Sequence, residues 1–123
     1  MYEEKKWDSG KIQWQEWTND EEKRHRPGGP AYLLYREDGS LAQEEWYIDG
    51  KRHRLDGPAY IRYLVDRRFL EEEWHIEGEQ VPERGGSVFE WAKAINKELG
   101  YLPGSLVALL EEENPAYRAL RML

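Results

Sequence analysis

Apolar and polar side chains alternate with a period of two over residues 31–36 and 59–64, and again over 41–48 and 69–76. This is the pattern of half-buried β-strands. Glu37-Asp38-Gly39-Ser40 turns the first pair. Asp49-Gly50 is the strongest hairpin signal in the chain, because a type I′ turn needs positive φ at both central residues, and Glu77-Gly78 holds the equivalent place. A short strand over 51–53 follows, and Leu55-Asp56-Gly57-Pro58 then breaks the ladder, since proline lacks the N–H. A two-residue turn at Asp49-Gly50 sets Ile48 against Lys51, Tyr47 against Arg52, Trp46 against His53 and Glu45 against Arg54 as a cross-strand ion pair. Trp46, Ile48 and His53 then share one face. That face is expected to be buried, with Leu33, Tyr35, Ile61 and Tyr63 on it.

After residue 86 the period changes. Ser87-Val88-Phe89-Glu90 is a capping box, and Val88, Trp91, Ala92, Ile95 and Leu99 follow helical spacing up to a terminating Gly100. Ser105 is expected to cap a second helix through Leu110, and Asn114-Pro115 a third. The fold class is therefore α+β: an elongated antiparallel β-meander over 1–86, followed by a short helical segment over 87–123. A single-layer sheet rich in Trp needs a covering layer, so the helices are expected against the sheet or its end, forming one domain with it.

The meander is built from a repeat. Lys23-Arg24-His25-Arg26-Pro27-Gly28-Gly29-Pro30-Ala31-Tyr32 recurs as Lys51-Arg52-His53-Arg54-Leu55-Asp56-Gly57-Pro58-Ala59-Tyr60, an offset of 28 residues. The same offset links Tyr35 to Tyr63, Glu45 to Glu73, Trp46 to Trp74, Ile48 to Ile76 and Gly50 to Gly78. Residues 11–18 read as the back half of an earlier unit and 79–86 as the front of a later one, as expected where terminal units cap an array.

The motif His-Arg-x-x-Gly-Pro-Ala, followed by Tyr, a turn Gly, Glu-Trp and a further Gly, resembles divergent MORN-type repeats over residues 8–86. It departs from the usual unit of that family, which is shorter and richer in Gly. The resemblance implies a β-hairpin array used for protein or lipid contact without catalysis. Similar units occur in bacterial and viral accessory proteins, and fold alone does not fix function.

Composition narrows the classes. A chain of 123 residues has the length of one domain, and 35% charged residues would permit disorder, but 13% aromatic residues supply side chains to bury. The net charge of −7 argues against nucleic acid as a partner and suits a protein that meets basic surfaces or mimics nucleic acid. The absence of Cys removes disulfide and thiolate chemistry. Met1-Tyr2-Glu3-Glu4-Lys5-Lys6 has no apolar core of a secretory leader, and no apolar run reaches membrane-span length. A cytoplasmic protein that does not use a membrane is expected.

The candidate chemistry is sparse. His25, His53 and His75 have no metal-ligand spacing. The place of His53 is taken in the next unit by Val81, opposite Trp74, which marks His25, Trp46, His53 and Trp74 as structural repeat positions. No nucleophile elbow, phosphate loop or dinucleotide fingerprint is present, so no catalytic residue, metal or cofactor is expected. The basic tetrads 23–26 and 51–54, with Arg67 and Arg68, would form a phosphate-binding stripe beside Tyr32 and Tyr60 if they were unpaired, but the net charge favours cross-strand pairing with Glu44, Glu45 and Glu71 to Glu73. The acidic runs 71–73 and 111–113 suit either solvated faces or mimicry of a phosphate backbone. Leu106, Val107, Leu109, Leu110, Leu120 and Leu123 give the tail an apolar stripe that either packs on the sheet or docks a partner.

The leading expectation is a non-enzymatic protein-interaction module. It would bind another protein through Arg24, Tyr32, Arg52, Tyr60 and Arg62, since Tyr and Arg are the usual hot-spot residues. One alternative is a small acidic inhibitor of a host nucleic-acid enzyme, of the kind a phage or mobile element encodes. Another is nucleic-acid or phosphate binding through the basic stripe. Either edge of the meander also offers a strand for pairing with a second copy.

Overall fold

The computed structural model describes residues 1–65 and 70–116. The described strands, in chain order, are β1 (Tyr2–Lys6), β2 (Ile12–Trp17), β3 (Tyr32–Tyr35), β4 (Leu41–Glu45), β5 (Tyr47–Ile48), β6 (Lys51–Arg52), β7 (Tyr60–Tyr63), β8 (Leu70–Ile76) and β9 (Glu79–Val81). All but β5 and β6 form one seven-stranded antiparallel sheet, with its strands in chain order. Strands β5 and β6 form a separate hairpin whose turn is Asp49-Gly50, with φ of 49° and 79°. Helices α1 (Val88–Leu99) and α2 (Gly104–Glu113) follow, so the α+β meander with a helical C-terminal segment is the observed architecture.

The hairpin register agrees with the sequence for Tyr47 opposite Arg52 and Ile48 opposite Lys51. Two expectations are corrected. Residues 41–48 are not one strand, because the ladder changes partner at Trp46. The N–H of Trp46 donates to the Ala59 carbonyl at 2.7 Å, while its own carbonyl accepts from His53 N–H at 3.1 Å. Glu45 therefore does not face Arg54. The Arg54 N–H joins the next unit at the His75 carbonyl (3.1 Å), and its guanidinium pairs with Asp56 at 2.9 Å.

The core lies at the helical end. Ile76 and Val81 of the last two strands pack with Val88, Trp91, Ala92, Ile95, Leu106 and Leu110. Ser87 Oγ accepts from Glu90 N–H at 3.1 Å, as the capping box requires, and Gly100 ends α1 with φ 84°. Helix α2 starts at Gly104 rather than behind a Ser105 cap, and its preceding residue, Pro103, makes no side-chain cap bond. Asn114 closes α2, and all but the first residues of the expected third helix, with Leu120 and Leu123, lie outside the described residues. Along the sheet the expected buried face is mostly half-exposed. Of Leu33, Tyr35, Ile61 and Tyr63, only Ile61 is buried. Among the described residues the helical core takes in Ile76 and Val81, with Leu55 and Trp74 at its margin, and no residue of β1 to β4 belongs to it.

Candidate functional site

The His-Arg-x-x-Gly-Pro-Ala motif is a set of contacts between neighbouring hairpins. His25 Nδ1 accepts from the Asp49 backbone N–H at 2.9 Å, and His53 Nδ1 accepts from the Glu77 N–H at 2.9 Å. Each imidazole thus holds the hairpin turn of the following unit. Gly50 N–H donates to the Arg24 carbonyl at 2.8 Å and Gly78 N–H to the Arg52 carbonyl at 2.9 Å, completing the clamp. Arg26 lies 3.8 Å from the Trp17 ring and donates to the Pro30 carbonyl at 3.2 Å. Arg54 repeats this 3.9 Å from Trp46, with Pro58 accepting at 3.1 Å.

The glycine of the motif makes room for that arginine. A Cβ on Gly57 would come within 2.6 Å of Arg54 Cζ, and one on Gly29 within 3.2 Å of Arg26 Nε. Ala31 and Ala59 are fully buried and bond both neighbouring strands. At the third position the arginine is replaced by Pro82. The ring of Trp74 is covered instead by Trp91 of α1, edge-on at 5.5 Å, whose Nε1–H donates to the Pro82 carbonyl at 2.7 Å. The helix thus takes over where the repeat stops.

The opposite face carries the expected partner-binding residues. Alternation along the strands places Tyr32, Tyr60 and Arg62 on it, and Arg24 and Arg52 lie over the rings of Tyr32 (3.9 Å) and Tyr60 (4.6 Å). All five named side chains are therefore brought to one surface. Charges alternate across it. Arg24 reaches Glu16 at 2.8 Å and Glu45 at 3.4 Å, and Arg52 reaches Glu45 at 3.0 Å and Glu73 at 3.5 Å. His75 Nε2 lies 3.0 Å from the same Glu73 oxygen. Because a carboxylate oxygen only accepts, Nε2–H is the donor of this contact, and His75 Nδ1 has no partner among the described residues.

Glu45 is the centre of this ladder and is 4% exposed. It accepts from Gln43 Nε2 and Tyr47 Oη, both at 2.8 Å, besides the two arginines. Burial pushes its carboxyl up, but the hydrogen bonds from Tyr47, Gln43 and Arg52, with the charge of Arg24, outweigh burial and hold it below the usual carboxylate range. Burial also works against the charge on Arg24 and Arg52. Glu16 and Glu45 raise the pKa of Arg24 above its ordinary value, and Tyr47 and Glu45 raise that of Arg52. Burial lifts the Tyr32 phenol. On the other face, burial and the hydrogen bond to Glu44 lift Tyr63 to about 12.

The tetrad arginines are thus committed to carboxylates and aromatic rings of the same chain, which is the cross-strand pairing reading of the basic stripe; Arg67 and Arg68 lie outside the described residues. Arg62 is different. Its side chain is 55% exposed, and its ion pair among the described residues is with Glu71, at 3.6 Å. Beside it is an open groove of about 370 Å³, lined by Leu34, Gln43, Tyr60, Arg62, Leu64 and Val65 among others. Sequence reasoning missed Glu16, and named Glu45 and Glu73 as pairing partners of the tetrads without singling out Glu45 as the carboxylate shared by two arginines. The signal was present in the shared offset of Glu45 and Glu73. Among the described residues, no group of His, Asp and Glu is arranged to hold a metal. No described helix is long and apolar enough to cross a membrane.

No family model, curated protein or solved structure matches the chain.

Proposed function

We propose that the protein is a non-enzymatic interaction module that binds another protein through the sheet face bearing Arg24, Tyr32, Arg52, Tyr60 and Arg62. One observation carries this reading. The face is an arginine–tyrosine surface fixed in place by its own carboxylates, with a groove and a half-exposed guanidinium, Arg62, beside it. Side chains already held in one arrangement lose little entropy on binding, and Tyr and Arg are the residues that dominate binding energy. The MORN-type resemblance of residues 8–86 supports the same class of role.

The acidic-inhibitor reading keeps one observation in its favour, the net charge of −7. It differs from the leading reading in the identity of the partner. Affinity capture from native lysate of the source cells, with and without nuclease, followed by mass spectrometry, tests both. A stoichiometric protein partner that survives nuclease is the expected result. A partner that is a nucleic-acid enzyme, displaced from its substrate by this chain, would make the module an inhibitor. Capture that vanishes with nuclease would overturn the proposal in favour of nucleic-acid binding.

A further inference from the structure

The first strand is the edge of the sheet, and among the described strands it pairs only with β2. All of Tyr2–Lys6 is exposed. The orientation of its backbone follows from two bonds. Thr18 N–H donates to the Met1 carbonyl and Trp7 N–H to the Lys11 carbonyl, both at 2.8 Å. Residues 1, 3, 5 and 7 therefore turn their backbone groups to β2, and Tyr2, Glu4 and Lys6 turn theirs outward. The irregularity near Lys5/Lys6 does not spoil this edge. Lys5 pairs with Trp14 and Lys6 with Ile12, so the extra residue is Gln13, on β2.

Lysines on an edge strand ordinarily discourage pairing. Here they are preceded by two glutamates in the order Glu3-Glu4-Lys5-Lys6. Among the described residues, Glu3, Lys5 and Lys6 form no ion pair within the chain. Such a strand repels an arbitrary edge but is complementary to itself when run antiparallel.

We infer that β1 pairs antiparallel with β1 of a second copy about a two-fold axis at Glu4, joining the two sheets into one. In that register Glu3 of each copy faces Lys5 of the other at the close, non-hydrogen-bonded position, and Tyr2 faces Lys6, with Tyr2 and Lys6 exchanging backbone hydrogen bonds. The two Glu4 side chains meet at the axis. Each already accepts from the Tyr2 hydroxyl at 2.8 Å and sits diagonal to Lys6 of the other copy. A slip of two residues in either direction sets Glu3 against Glu3 or Lys5 against Lys5 and leaves fewer residues of each strand paired.

Sedimentation equilibrium over a concentration series tests this on the whole chain. The wild type is expected to dimerise. Within its own sheet Glu3 stands opposite Glu16, so Glu3→Lys preserves folding. Across the axis the same substitution sets one lysine against another, the Lys5 of the second copy, and is expected to weaken the dimer about tenfold. The charge-swapped double variant, Glu3→Lys with Lys5→Glu, is expected to recover wild-type dimerisation. A wild type that stays monomeric throughout the series would overturn the inference. So would a Glu3→Lys variant that dimerises like the wild type, or a double variant no better than the single. Circular dichroism separates loss of dimer from loss of fold. The result is independent of which protein, if any, the sheet face captures.

Discussion

Truncating Glu45 to Ala removes the residue on which the arginine ladder converges. The carboxylate is 4% exposed and accepts from Gln43, Tyr47, Arg52 and Arg24. A hydrogen bond to a charged carboxylate contributes about 1.5–3 kcal/mol net, and those from Gln43 and Tyr47 fall at or below the low end because both donors are half-buried and regain water when the carboxylate is removed. The two arginine contacts are worth less than a fully buried pair, because Arg24 and Arg52 side chains are 31% and 30% exposed and water screens them. Each arginine also keeps a second carboxylate, Glu16 or Glu73. With these discounts Glu45→Ala is expected to cost about 2–4 kcal/mol, a large share of a domain's total stability of about 5–15 kcal/mol. Urea unfolding followed by tryptophan fluorescence reads this as a fall in the midpoint at unchanged slope. Glu71→Ala, at the exposed pair with Arg62, is the control and is expected to change stability by less than about 0.5 kcal/mol. A Glu45→Ala variant within about 1 kcal/mol of wild type would refute the ladder as the device that fixes this face.

Other consequences follow from the clamp and the cap. Burial lowers the His53 pKa below its ordinary 6.5, so the stability His53 contributes is present above the unfolded value and is lost as pH falls through the lower folded value. The stability gap between wild type and His53→Ala is therefore expected to shrink between about pH 7 and pH 5, which urea titrations at several pH values check. Gly57→Ala must push Arg54 off the Trp46 ring and is expected to destabilise by about 1–2 kcal/mol, whereas Gly85→Ala, with nothing near its Cβ, is expected to be close to neutral in the same titration. Trp91→Ala empties a site that is 2% exposed, uncovers Trp74 and is expected to cost about 3–5 kcal/mol, with loss of helical signal in far-ultraviolet circular dichroism.

The local signals in the sequence translated directly into structure. Asp49-Gly50 takes the positive φ values its turn demands, and Ser87 caps α1 through Glu90 N–H. The strands came from period two, and their antiparallel order from short turns. What was not legible is where a strand changes partner. Nothing local to Trp46 says that its N–H stays in the β4–β7 register at Ala59 while its carbonyl turns to His53, or that Arg54 bonds to His75 rather than continuing opposite Glu45. That choice is made between units, by the buried Ala and the Gly-Pro break. The same holds for the named surface. Tyr and Arg at repeat positions identified one shared face, but Glu45 was expected opposite Arg54 rather than between Arg24 and Arg52, and Glu16 had no assigned partner. The charge run that reads as a basic stripe in one dimension is a neutralised ladder in three.

The most direct test of the interaction module is calorimetric titration of the captured protein partner with two double variants. Tyr60→Ala with Arg62→Ala alters the proposed binding face, and Phe89→Ala with Lys93→Ala alters an exposed face of α1. The account predicts at least about a tenfold loss of affinity, or about 1.4 kcal/mol, for the first and wild-type affinity for the second, with both folded by circular dichroism. Unchanged affinity in the first, or a loss confined to the helix variant, would contradict it and move the binding surface from the sheet to the tail.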